Sequence, residues 1–357
     1  MKRTVAQSTS GDRLRLYRCL LGAAALAAVV LTLVVGIAAT DWMGRPFPGF
    51  FVFPNRVIPS IGLPDWPVVR DGTLYQRTVI SVDGQPVDDG AQVYRRVDGR
   101  AIGSPFIYEL RKGSATDTLA IRSEVFSRAD YWAIFGAYLG TGFLYLMLGL
   151  LGAWLFPGTH LGHALLFVGG TGGVYMLSAV GIYDPDGGLR IHALAEVFFP
   201  AAVVYLGFVF PRERHTLIRP GLAVACWLSA ALAIPYQLLL DQPGAYSAMH
   251  AASEAYLGIA SLALAVSLVV HYARTEAGGQ PLLGSATAGA LLGIAVPAVV
   301  MTISGLSGGD LPVNICTATA FLFPLCFGYG LARQSLAAKP APHGTASVSA
   351  TAVWSGS

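Results

Sequence analysis

Charge is scarce in this chain. Asp, Glu, Lys and Arg make up only 12% of its 357 residues, whereas 54% are hydrophobic, and soluble domains carry about a quarter charged residues. Cysteine is also sparse. Cys19, Cys226, Cys316 and Cys326 all lie in apolar runs, no CxxC pair occurs, and the polar stretch between residues 41 and 128 has none. That excludes a disulfide framework and a zinc knuckle. No basic stripe with interleaved aromatics accompanies the net charge of +3, so a nucleic-acid partner is not expected. Catalytic signatures are missing as well: there is no HExxH, P-loop, kinase motif, or GxGxxG between a strand and a helix. Gly305-Leu306-Ser307-Gly308 copies the G-x-S-G of rhomboid-type serine proteases, but the last apolar run has no His to act as the base.

What the chain does have is apolar length, with a mean hydropathy of +0.58. After a basic segment over 1–18, residues 19–39 run without a charge. About twenty apolar residues cross a hydrocarbon core, and this run is longer than a signal-peptide core, so it reads as an uncleaved first helix. Residues 41–128 have the composition of a soluble domain. Seven apolar runs follow over 131–333, at 131–156, 162–183, 191–211, 219–240, 251–272, 283–306 and 313–333. The short breaks between them imply antiparallel neighbours. The expected fold is a polytopic α-helical membrane protein with about eight transmembrane helices and a small α+β domain inserted after the first. The tail over 337–357 is rich in Ala, Ser, Thr and Pro and is expected to be disordered.

Lys and Arg orient such a chain in the bilayer. With the N-terminus in the cytoplasm, the inner loops collect Lys2, Arg3, Arg13, Arg15, Arg18, Arg212, Arg214, Arg219, Arg274, Arg333 and Lys339. The short outer loops keep only Arg190. This bias predicts both termini inside, residues 41–128 outside, and residence in a bacterial inner membrane.

Within the insert, Val79–Val82 reads as a strand and Asp83-Gly84 as a tight turn. Asp88-Asp89 caps a helix over Ala91–Val97, Phe106–Arg111 is a second strand, Lys112-Gly113 a hairpin turn, and Thr118–Val125 a third strand. This order, with the VISVDGQPV run at 79–87 and the YELRKG run at 108–113, resembles a PDZ domain of the bacterial periplasmic kind. The resemblance implies a carboxylate-binding loop at Phe47-Pro48-Gly49-Phe50-Phe51. Gly49, Phe50 and Phe51 would then line a groove for an extended peptide or protein terminus. The alternative is a spacer packed on the helix ends. The family pattern has Gly-Asp where this chain has Gln76-Arg77.

Ionisable groups within spans are costly and usually have a role. His192-Ala-Leu-Ala-Glu196 and His250-Ala-Ala-Ser-Glu254 repeat one H-A-x-x-E spacing near the start of two helices. Each places His and Glu on one helical face. Together His192, Glu196, His250 and Glu254 would bind a divalent metal, relay a proton or hold a polar ligand. The plainer readings are local pairing and wet helix ends. Gly136 and Gly140, and Gly169, Gly170, Gly172 and Gly173, would permit close helix contact.

One helix, an external PDZ-like domain and seven helices together resemble the N-terminal membrane sensor half of bacterial histidine kinases. That implies a receptor-like protein of the lipid bilayer, one that detects an extracytoplasmic peptide, protein or envelope signal and hands it to a cytoplasmic signalling protein such as a histidine kinase. Such sensors continue into a phosphorylation helix and an ATP-binding domain, which this sequence does not contain, so the expectation is either an accessory receptor that signals through another protein or a sensor half separated from its kinase. The alternative is a membrane enzyme or transporter built on the His/Glu cluster.

Overall fold

The computed structural model describes residues 2–70, 74–183, 188–275, 281–307 and 311–337. The tail expected to be disordered lies, apart from Ala337, outside the described residues, as does Gly308 of the G-x-S-G run. The chain opens with one long helix, α1 (Lys2–Ala38), which ends in a 3₁₀ turn at Ala39–Trp42. The inserted domain follows: β1 (Pro46–Phe47), α2 (Pro67–Arg70), β2 (Thr78–Val82), β3 (Gln85–Pro86), α3 (Gly90–Asp98), β4 (Pro105–Lys112), β5 (Ala115–Arg122) and β6 (Glu124–Val125). A single-turn α4 (Arg128–Tyr131) and a π-turn at Trp132–Gly136 lead into α5 (Ala137–Leu155). Then come α6 (His160–Gly181), α7 (Gly188–Val209), α8 (His215–Leu239), α9 (Pro243–Arg274), α10 (Pro281–Ala290), α11 (Val296–Leu306), α12 (Asn314–Ala320) and α13 (Leu322–Ala337).

The domain follows its local sequence closely. Asp83 and Gly84 both have positive φ, 53° and 74°, which is the backbone a two-residue hairpin needs to match strand twist. Asp89 caps α3 by accepting from Gln92 N at 2.8 Å. In β4, Phe106, Tyr108 and Leu110 are buried while Pro105 and Ile107 are exposed, the period-two pattern of a strand with one dry face. The strands form an antiparallel sheet in the order β3-β2-β4-β5. The third strand expected over 118–125 is split. Residues up to Arg122 extend the sheet, whereas Glu124 and Val125 pair with Phe47 and Pro46. That small β1-β6 ladder brings the two ends of the insert together, so the domain leaves and re-enters the bundle at one place.

Residues 49–53 form no strand. Phe47, Phe50 and Phe51 are almost entirely buried. Phe51 stacks on Tyr183 at 4.0 Å between ring centroids and meets Trp66 and Phe126 edge-on or tilted. Tyr183 follows α6, so these rings weld the domain to the helices in one continuous apolar core.

Among the described residues seven helical stretches are long and apolar enough to cross a membrane: Leu14–Trp42, Arg128–Leu155, His160–Gly181, Gly188–Val209, His215–Leu239, Pro243–Arg274 and Pro281–Ser304. The last apolar run, expected as an eighth span, is broken at Phe321 into α12 and α13, neither of which has that length. α13 packs against α10 and α5. α1 and α8 sit at the periphery with exposed Leu26, Leu33, Val224, Trp227, Ile234 and Leu238; a bilayer is the solvent that suits such faces. α5 and α6 approach closely through glycine. A Cβ at Gly169 would stand 2.4 Å from Tyr145 O and 2.5 Å from Gly149 Cα. Gly140 and Gly170, by contrast, face open space, and Gly136 is crowded only by Trp132 of its own turn. The close contact therefore runs through Gly149 and Gly169, not through the GxxxG spacing at 136–140.

Candidate functional site

The two H-A-x-x-E segments open α7 and α9, helices that pack against each other. Glu196 and His250 each lie about two turns inside, roughly 12 Å along the axis from the helix start. At an uncovered helix end that depth would be wet. Here packing among α7, α8 and α9 leaves Glu196 2% exposed, and Glu254, beneath the inserted domain, is 3% exposed.

His250 joins the two acids. Its Nδ1 lies 2.9 Å from Glu196 Oε1, and its Nε2 lies 3.3 Å from Glu254 Oε1. The second contact is an ion-pair distance without hydrogen-bond alignment, and Glu254 Oε1 has no hydrogen-bond donor among the described residues. On the far side Tyr236 of α8 donates to Glu196 Oε2 at 3.0 Å. The ring of Tyr246 stacks on His250, their centroids 5.7 Å apart. A polar chain Tyr236–Glu196–His250–Glu254 thus crosses from α8 through α7 to α9.

His192 behaves differently from the expected i,i+4 partner of Glu196. Its Nδ1 lies 3.1 Å from both Ser178 Oγ and the Tyr175 carbonyl, and its ring stacks on Tyr175 at 4.6 Å. It is tied to α6, yet it lines the same small chamber as His250 and Glu254, about 70 Å³ in volume, together with Tyr138, Tyr175 and Tyr246. The structure thus brings three of the four named residues into contact and sets the fourth on the wall beside them.

Above the cluster lies a larger cavity of about 450 Å³ at the seam between domain and bundle. α9 supplies Ser247, His250, Ala251 and Glu254; the domain supplies Ser60, Gln76, Thr78, Arg111 and Lys112; Ser304 and Val313 close it. Hydrogen bonds fasten the seam around it. Gln76 Nε2 donates to Ser60 Oγ at 3.1 Å, and Ser247 Oγ donates to Gln76 Oε1 at 3.2 Å. Val313 N donates to Ser60 O at 2.7 Å, Gly62 N to Asn314 Oδ1 at 3.1 Å, and Asn55 Nδ2 to Leu240 O at 2.8 Å. Gln76 holds a left-handed φ of 56°, a conformation that costs a non-glycine residue about 1 kcal/mol or more. One of its side-chain bonds, to Ser60, lies within the domain, and the other, from Ser247, crosses the seam.

Two expectations change in this geometry. Both ring nitrogens of His250 face carboxylate oxygens, and no group of three His, Cys, Asp or Glu among the described residues is arranged to hold a metal. The donor set therefore does not fit the divalent ion considered from sequence. Gly49, Phe50 and Phe51, expected along a peptide groove, are interior: Gly49 packs on Pro67, and Val52 exchanges hydrogen bonds with the Tyr94 hydroxyl. All three residues are buried, and residues 49–53 form no strand with which an extended peptide would pair.

Sequence reasoning missed Tyr236, Tyr246, Gln76, Ser60 and Arg111. Gln76 carried a faint signal, since it stands where the PDZ pattern has glycine; the two tyrosines sit in apolar stretches with no mark to separate them from packing residues. Comparisons of the chain with protein-family models, with curated proteins and with solved structures return no match.

Proposed function

We propose that this chain is a receptor of the bacterial inner membrane whose signal enters at the seam between the external domain and the helix bundle. The observation that carries the reading is the seam cavity of about 450 Å³, lined jointly by the domain and α9, with partly buried His250 and buried Glu254 at its floor. A ligand held there touches both bodies at once, so its binding energy can bias how they pack. The polar chain from Glu254 to Tyr236 continues that contact into three helices.

The remaining assignments follow from the same reading. The insert is a PDZ-like domain outside the cytoplasm, both termini are cytoplasmic, and α12 with α13 completes an eighth crossing. The excess of Lys and Arg in the inner loops supports this orientation. The partner is a cytoplasmic signalling protein such as a histidine kinase, in keeping with the resemblance to the sensor half of such kinases. Co-purification of the full chain with a kinase, cyclase or regulator encoded beside it tests the proposal. The expected result is a complex whose output changes when Ala251→Trp fills the cavity. A chain whose deletion and whose cavity-filled variant both leave every such output unchanged is not a receptor.

A second reading has its own support. Two buried carboxylates sharing one imidazole are suited to moving a proton, which favours a proton-coupled transporter. Reconstituted vesicles discriminate: transport makes internal pH follow an imposed substrate gradient, and His250→Ala abolishes that response.

A further inference from the structure

The seam cavity carries opposite charge at its two ends. At the floor stand Glu254, His250 and, behind them, Glu196. Even with the imidazole protonated, two carboxylates and one cation leave one net negative charge. Glu254 is 3% exposed, lines the cavity, and keeps an Oε1 that faces His250 Nε2 at 3.3 Å without hydrogen-bond alignment and has no aligned donor among the described residues. A buried carboxylate oxygen in that state calls for a cationic N–H donor. At the other end Arg111 and Lys112, where β4 turns into β5, line the same space. Arg111 makes no ion pair among the described residues. Seryl and amide groups of Ser60, Gln76 and Ser247 line the same cavity.

We propose that this cavity binds a small zwitterion, its primary ammonium on Glu254 and its anionic group toward Arg111. The chemistry is that of a free amino acid or a peptide of two or three residues. A primary ammonium brings three donors to the unserved oxygen, which a quaternary ammonium lacks. A planar guanidinium suits a carboxylate or phosphate at the other end. A cavity of about 450 Å³ is within the range of small-molecule sites. The proposal rests on the receptor reading for its consequence, signalling, and on the cavity alone for binding.

The test uses the full chain in lipid nanodiscs, with thermal unfolding followed across a panel of free amino acids and dipeptides. At least one panel member is expected to raise the unfolding midpoint in a saturable way, and its N-acetylated form is expected to have no effect. Glu254→Gln should weaken the apparent affinity by about tenfold or more and Arg111→Ala by a smaller factor, while Arg122→Ala, outside the cavity, changes nothing. Ala251→Trp removes binding without touching a charge, so the test survives if Glu254→Gln fails to fold. The proposal is overturned if no panel member shifts the midpoint, if the N-acetylated form works equally well, or if binding survives Ala251→Trp. A panel that fails while Ala251→Trp still alters partner output removes the ligand class and leaves the receptor. Specific zwitterion binding with no effect on any partner does the reverse.

Discussion

Tyr236 donates to a carboxylate that has almost no access to water. Removing that hydroxyl leaves Glu196 Oε2 unserved, so Tyr236→Phe should cost about 1–2 kcal/mol, a hydrogen bond to a charged group moderated by the membrane setting. Denaturant unfolding in detergent measures it, and an unchanged midpoint would mean Glu196 has another donor. A second residue-scale prediction concerns pH. Tyr75, in the inserted domain, is 1% exposed, and its hydroxyl has no partner among the described residues. Burial pushes its phenol up to about 12. The unfolded chain releases that proton near pH 10, about two units earlier, so stability should fall as pH rises between about 10 and about 12. Tyr94 and Tyr108 are raised for the same cause, burial, and add to the fall in the same direction. Tyr75→Phe should make the alkaline loss shallower; an identical slope in wild type and variant would contradict the assignment.

Among the elements, the α5–α6 contact turns on two backbones that touch. Gly169→Ala puts a methyl group 2.4 Å from the Tyr145 carbonyl, a clash that only separation of the helices relieves. Overpacking of this kind costs about 1–3 kcal/mol. Gly140→Ala, facing open space, should be neutral and serves as the control for helix propensity. Comparing the two in the same detergent separates close packing from a general effect of glycine. The same contrast shows how far sequence patterns reach. The GxxxG spacing at 136–140 follows the small-residue rule yet meets no neighbouring helix, because the rule fixes which face is smooth and not which face a neighbour occupies. Segment 49–53 teaches a similar lesson. A glycine flanked by Phe reads as a binding loop, but four aromatic rings from elsewhere in the chain claim those side chains.

For the whole molecule, the decisive feature is how the domain sits on the bundle. Its attachments at Ser60, Gly62 and Asn55 reach Val313, Asn314 and Leu240, so the domain grips the end of α8 and the start of α12. Asn314→Ala combined with Ser247→Ala should loosen that grip. Amide hydrogen exchange over residues 55–62 should rise severalfold, while the β4–β5 ladder stays protected. Equal exchange in both segments would mean that the seam does not open by itself. Orientation has its own check: a cysteine placed at exposed Asp117→Cys should react with an impermeant maleimide in intact spheroplasts. Labelling only after lysis would invert the proposed topology.

The sequence by itself determined the helical membrane character and, between the first two membrane helices, the strands around Val79–Val82 and Phe106–Arg111, the Asp83-Gly84 turn and the Asp89 cap. Each of those is written in nearest-neighbour chemistry: apolar length, Asp-Gly backbone freedom at 83–84, and Asp89 before an amphipathic turn. It also singled out His192, Glu196, His250 and Glu254, because charge inside an apolar run stands out against its background. Only the tertiary structure decided that Glu196 pairs with His250 and not with His192. Helical spacing puts only His192 within reach of Glu196 on α7, and His250 reaches it because of how α7 meets α9. Only the tertiary structure put the insert over those helix ends, turning positions that would be wet into a buried cluster with a cavity above it. Burial depends on what surrounds a residue: Glu196 is enclosed by neighbouring helices, and the cavity at Glu254 is walled by Gln76, Ser60 and Arg111, far away in the chain.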